Sequence, residues 1–110
     1  MDKPTPAALA AFDGAFPEGA ERKKMFGMPA AFVGGNMCFG VFVDTVVLRV
    51  GEARSAELEG HEGFERFEPM PGRPWREYVA ASAPRWGGTP ELAAWAAETV
   101  RYAATLPPKR

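Results

Sequence analysis

From Met25 to Val43 the chain carries no charged residue. Nineteen uncharged residues in a row are nominally enough to cross a bilayer as one helix. The run cannot stay helical, however. Gly34-Gly35-Asn36 sits in its middle, with Pro29 before it and Gly40 after it. Gly and Asn tolerate the positive φ that tight hairpin turns demand. The run therefore reads as two apolar strands, Phe26 to Val33 and Met37 to Val43. Asp44-Thr45 marks a second turn, and Val46 to Val50 a third strand with Arg49 as its one charge. The three make an antiparallel meander, and their near-continuous apolar character predicts at least one strand buried on both faces. No membrane span is expected.

The flanks supply helices. Thr5-Pro6 reads as an N-cap followed by proline at the first helical position. Leu9, Phe12 and Phe16 follow on one helical face, and Pro17 closes the segment. Glu21-Arg22-Lys23-Lys24 reads as a charged connector. Beyond the meander, Glu52 to Glu59 predicts a short helix ended by Gly60. Phe64 to Phe67 and Trp75 to Ala81 read as a fourth and a fifth strand. Between them lies a Pro69-Met70-Pro71-Gly72 loop, and Ala83 to Gly88 follow as an irregular connection. The last helix starts at Thr89-Pro90-Glu91 and stops before Pro107-Pro108. Its apolar stripe is Leu92, Trp95, Ala96, Thr99, Val100, Ala103 and Leu106. The expected fold is α+β, a five-stranded antiparallel sheet with elements in the order α-β3-α-β2-α.

With 110 residues the chain is expected to be one domain, residues 1–110, with its core at about 5–106. Lys+Arg is 13 and Asp+Glu is 14. That balance argues against a dedicated nucleic-acid binder or a polybasic membrane anchor. Charge is uneven all the same. Residues 52–68 hold six Glu against two Arg, and residues 69–88 hold three Arg against one Glu.

The residues that do chemistry are few. Cys38 is the one cysteine and His61 the one histidine, so neither an intrachain disulfide nor a zinc site is expected. The solitary thiol and the lack of a signal peptide fit a cytoplasmic protein. Cys38 sits among apolar strand residues, where a thiol is buried and inert. His61 lies beside a helix end. Neither Ser55 nor Ser82 lies in a nucleophile-elbow pattern. Gly35 to Gly40 has the glycine spacing of a phosphate loop but not its Lys and Ser/Thr. No catalytic residue, cofactor or metal is expected.

One constellation remains. In Arg73-Pro74-Trp75-Arg76-Glu77-Tyr78, and then Arg85-Trp86, arginine and aromatic residues interleave. Such mixtures build protein interfaces and phosphate-plus-stacking sites. The plainer reading puts Trp75 or Tyr78 in the core and the arginines in water. Arg49, with Tyr78 or Trp75, would line a pocket if a small ligand binds.

Arg22-Lys23-Lys24-Met25-Phe26-Gly27, then Gly34-Gly35-Asn36-Met37, then Val47-Leu48-Arg49-Val50 resemble the N-terminal domain of the TfoX family. The likeness continues through a short acidic helix, Phe64, a strand with Tyr78 and a closing helix with Trp95, and covers about residues 5–106. Met25, Phe26 and Gly27 are its most specific part. Position 49 is Arg where the family often has Lys, and Pro84 to Gly88 add an Arg-Trp loop. The resemblance implies an α+β fold similar to secretion-chaperone-like domains and a link to the regulation of natural competence in bacteria. Longer members carry a second, C-terminal domain, for which these 110 residues leave no room. The resemblance carries no catalytic residues over.

Together these readings favour a non-enzymatic regulatory or protein-interaction module with an unknown protein partner. A small-ligand binder or unrecognised enzyme, and a weak nucleic-acid-binding regulator, are the alternatives. A symmetric homodimer is also expected. An open sheet leaves two edges, and Trp86 lies in a loop where burial within one chain is hard to secure.

Overall fold

A computed structural model describes residues 3–25 and 27–109. Its elements run α1 (Pro6–Gly14), β1 (Glu21–Met25), β2 (Met28–Val33), β3 (Asn36–Phe42), β4 (Thr45–Arg49) and α2 (Glu52–Glu59). They continue with β5 (Phe64–Arg66), β6 (Tyr78–Ser82), α3 (Ala83–Trp86) and α4 (Pro90–Ala103). The strands form one antiparallel sheet in the order β1-β2-β3-β4-β6-β5. No helix among the described residues is long and apolar enough to cross a membrane.

The α+β class and the meander agree with expectation, but the sheet has six strands, not five. The additional one is the charged connector. Glu21, Arg22, Lys23 and Lys24 pair with Phe32, Ala31, Ala30 and Pro29. All four are exposed, so the segment lacks the alternation by which a strand announces itself. It is an edge strand, where charges stop further pairing. Two further readings are corrected. Trp75 lies outside β6, because Trp75 to Tyr78 is a turn in which Tyr78 N–H donates to the Trp75 carbonyl at 3.0 Å. The supposedly irregular segment after Ser82 is a short helix, α3, whose N-cap Ser82 accepts from Arg85 N–H.

Both long helices begin as their caps predict. Thr5 Oγ1 accepts from Ala8 N–H at 3.2 Å, and Thr89 Oγ1 accepts from Leu92 N–H at 3.2 Å. α1 buries Ala8, Ala11 and Phe12, and α4 buries Leu92, Ala96, Thr99 and Ala103. They pack on one face of the sheet, where Phe12 stacks on Phe39 with centroids 5.0 Å apart. Leu58 of α2 joins the same core, and Arg54 of α2 pairs with Glu98 of α4 at 3.0 Å. β3 is buried at every position but its last, as the apolar run after Asn36 requires.

The opposite face is covered only in part. Val47, Ala80 and Phe67 form a second, smaller cluster there, with Phe42, Trp75 and Tyr78 packed against it. The covering segment, residues 67–77, crosses from β5 back to β6 and is called the strap below. The turn between β3 and β4 is Val43-Asp44, one residue earlier than expected. Val43 takes φ +54, a conformation that costs a β-branched residue. The fold holds it there: Thr5 N–H donates to the Val43 carbonyl, and Thr5 Oγ1 donates to Asp44 Oδ1 at 2.6 Å.

Candidate functional site

Strand register decides which of the singled-out residues meet. Arg49, the last residue of β4, stands opposite Tyr78, the first of β6. The Arg49 guanidinium lies 5.4 Å from the Tyr78 ring centroid. Its Nε donates to Glu77 Oε1 at 3.0 Å, and Tyr102 of α4 donates its hydroxyl to the same oxygen at 2.9 Å. Gly51 makes room for this: a Cβ there would lie 3.0 Å from Tyr102 Cε1.

The neighbouring strand completes the cluster. Ala31 pairs with Phe39 but Phe32 with Met37, so Cys38 is the extra residue of a β-bulge. The Met37 carbonyl accepts from Arg49 Nη1 and from the Tyr78 hydroxyl, each at 3.4 Å. Cys38 joins the helix-side core, where it is fully buried. Burial pushes its thiol pKa up, against a Thr99 hydrogen bond and the Arg49 charge. That is the setting of a structural thiol, not a nucleophile.

The charges of the cluster follow from its geometry. Burial alone would raise the Glu77 pKa, but the Tyr102 and Arg49 hydrogen bonds and the Arg49 charge outweigh it, and the net shift is downward. Burial raises the Tyr78 phenol against the pull of Arg49. Burial and the bond to Glu77 raise the Tyr102 phenol. Every polar group in the cluster thus has a partner within the chain, and the Arg49 side chain is only 19% exposed. Outside it, an open cleft of about 380 Å³ is lined by Arg49, Trp75, Glu77 and Tyr78 among others.

The aromatic half of the constellation anchors the strap. Trp75 meets Phe67 edge-on at 5.2 Å and Tyr78 at 5.3 Å, and Phe67 meets Phe42 at 5.2 Å. The strap's far end turns sharply through Met70-Pro71-Gly72-Arg73. Arg73 N–H donates to the Met70 carbonyl at 2.9 Å, Gly72 takes φ +77, and Glu68 Oε2 accepts from Gly72 N–H at 3.0 Å. This turn holds Met70 outward. Among the described residues it is the one exposed large apolar side chain, at 60%. Arg73 is exposed beside it, Arg76 is exposed where the strap returns to β6, and no ion pair among the described residues holds either.

Arg85 and Trp86 lie elsewhere. They belong to α3 and the helix-side core, whereas Trp75 and Tyr78 pack on the opposite face. Trp86 packs against Phe64 at 5.7 Å and Trp95 at 4.8 Å, and the Arg85 guanidinium sits 4.0 Å from its ring centroid. The ring is therefore largely used within the chain, and its buried Nε1 has no hydrogen-bond partner. Continuous in sequence, the Arg/aromatic segment is divided by β6.

Of the family-motif residues, Met25 ends β1 and pairs with Met28, and Gly27 takes φ +77 between β1 and β2. That φ explains the glycine. Phe26 lies outside the described residues. Sequence reasoning missed Glu77, Tyr102, Phe67 and Met70. Glu77 and Tyr102 are 25 positions apart and have no local signal. Met70, flanked by prolines in a loop, carried a signal that could have been read.

The model of the TfoX N-terminal domain matches residues 14–103, most of the chain. The chain belongs to the TfoX N-terminal domain family. No curated protein and no solved structure matches it significantly. The matched span of this TfoX domain runs from the end of α1 to the end of α4 and contains the whole sheet, the Arg49 cluster and the strap.

Proposed function

We propose that this TfoX N-terminal domain is a non-enzymatic regulatory module that acts by binding another protein through the strap. The observation that carries this reading is the different use of its arginines. Arg49 is spent on Glu77, Met37 and Tyr78. Arg73 stands beside an exposed Met70 on a turn fixed by its own hydrogen bonds, and Arg76 is exposed further along the same strap. An apolar tip with an unpaired arginine beside it has the composition of an interface centre. A turn already ordered loses little entropy on docking. The process is that implied by the family, regulation of natural competence, and the place of action is the bacterial cytoplasm.

A second reading, small-ligand binding, draws on the open cleft beside Arg49. Two experiments separate them. In cross-linked pull-downs from the native host after nuclease treatment, the wild-type domain retains a defined protein that the Arg73→Glu/Arg76→Glu variant loses. Equal recovery with both baits would remove the strap from function, and loss of all capture after nuclease would favour nucleic acid. A thermal-shift screen against small anions, raising the melting temperature of wild type but not of Arg49→Ala, would favour the cleft.

A further inference from the structure

The strap leaves part of its own face uncovered. Between the Val43-Asp44 turn, β5 and the strap's first residues lies a groove of about 820 Å³. Phe42, Phe67 and Ala80 supply its apolar floor, and Glu59, Glu65 and Glu68 stand around it. The one cation there, Arg66, is paired with Glu59 at 3.6 Å. Glu68 bonds to the strap turn, and Glu65 is exposed with no ion pair among the described residues. The groove therefore asks for an apolar side chain accompanied by positive charge.

The same chain presents that combination. Met70 projects from the strap turn with Arg73 next to it, and the strap's first residues, Phe67 and Glu68, are a wall of the groove. Donor and acceptor surfaces thus adjoin on one face. This is the arrangement a two-fold axis needs to satisfy both at once, since a patch that contains tip and groove together is self-complementary. We infer that the groove takes the strap turn of a second copy of this chain, in a symmetric dimer that exchanges two straps. Met70 sits on the apolar floor of the partner's groove, and Arg73 faces its acidic rim.

The inference rests on the reading of the strap as a contact surface and adds the occupant. It also moves the expected dimer contact away from Trp86, which Phe64 and Trp95 already cover. The opposed charges make the association salt-dependent.

Reciprocity gives a decisive test. Arg73→Glu and Glu65→Arg each place like charges at both contacts of a homodimer. Mixed in equal amounts, the two variants restore opposite charges at both contacts. Light scattering coupled to size exclusion, at about 200 μM protein and about 50 mM salt, is expected to give wild type twice the 11.9 kDa chain mass. Each single variant is expected at the monomer mass, with dissociation constants raised at least about tenfold. The mixture is expected to return to the dimer. Both positions are exposed, and circular dichroism checks that each variant is folded. A third variant, Met70→Ser, tests the apolar contact without changing charge and is expected to weaken the dimer. A monomeric wild type overturns the exchange while leaving the strap open to a different protein, so the two readings fail separately. Single variants that stay dimeric, or a mixture that stays monomeric, also overturn it.

Discussion

Glu77 ties three pieces of the chain together. Its Oε1 accepts from Arg49 of β4 and from Tyr102 of α4, while its own carbonyl accepts from Val50 and Gly51 N–H. Burial is outweighed by the hydrogen bonds from Tyr102 and Arg49, which hold the carboxyl pKa below its ordinary value. A depressed carboxyl contributes stability above its unfolded pKa, about 4.3, and loses it as pH falls through the lower folded value. Glu77→Gln is therefore expected to be less stable than wild type at neutral pH. Its side chain is 41% exposed, so screening keeps the difference below about 1 kcal/mol. The gap narrows as pH falls below about 4, where the unfolded chain takes up the proton first, and closes once the folded wild-type carboxyl is neutral too. Urea unfolding midpoints at neutral and acid pH measure both ends. A gap that widens toward acid would mean that Glu77 is not held as the charged acceptor of Arg49 and Tyr102.

The elements legible in the sequence were those with a local physical signature. Thr5-Pro6 and Thr89-Pro90 announce caps, and Gly34-Gly35-Asn36 announces a hairpin. The structure places each where expected. β1 was not legible, because an exposed edge strand buries nothing and its charges resemble a linker. The strap was misread at Trp75, since an aromatic residue beside a strand looks like part of it. The Arg49 cluster depends on strand register and a bulge, which no local pattern encodes. The hairpin turn has a second use that no turn rule supplies. Lys109 N–H donates to the Gly34 carbonyl at 2.7 Å, and Asn36 Nδ2 donates to the Pro107 carbonyl at 3.0 Å. The segment after α4 is thereby latched to the β2–β3 turn. Gly35 permits the approach, since a Cβ there would lie 2.5 Å from the Lys109 carbonyl oxygen, and its φ is +81. Gly35→Ala is expected to cost about 1–2 kcal/mol from the left-handed backbone and to release the tail. Hydrogen exchange at the Lys109 amide reads the release directly. Protection unchanged from wild type would show that the turn shifts to keep the latch.

The whole molecule must also survive its own open sheet. Order β1-β2-β3-β4-β6-β5 leaves β1 and β5 at the edges, and an unpaired edge is a template for further strands. β5 limits the risk by its length, three residues. β1 has five residues and pairs along its full length with β2, so length does not protect it. Charge does. Arg22 is held by Asp13 at 2.8 Å and lies over the Phe12 ring at 5.1 Å, so it also serves the helix-side packing. Lys23 lies 5.7 Å from the Phe32 ring centroid. Lys24 has no ion pair among the described residues, which leaves guarding the edge as its role in the fold. Removing Glu21 and Lys24 together keeps the net charge and both packed cations, and costs Lys23 only its exposed 3.6 Å ion pair to Glu21. The Glu21→Val/Lys24→Val variant is therefore expected to fold, because valine suits a strand, and then to aggregate through β1. Strap exchange stops at two copies, whereas edge pairing does not, so turbidity and thioflavin fluorescence that grow with protein concentration separate the two. A variant that folds and stays clear at concentrations where the wild type is soluble would show that β1 is protected by its geometry and not by its charges.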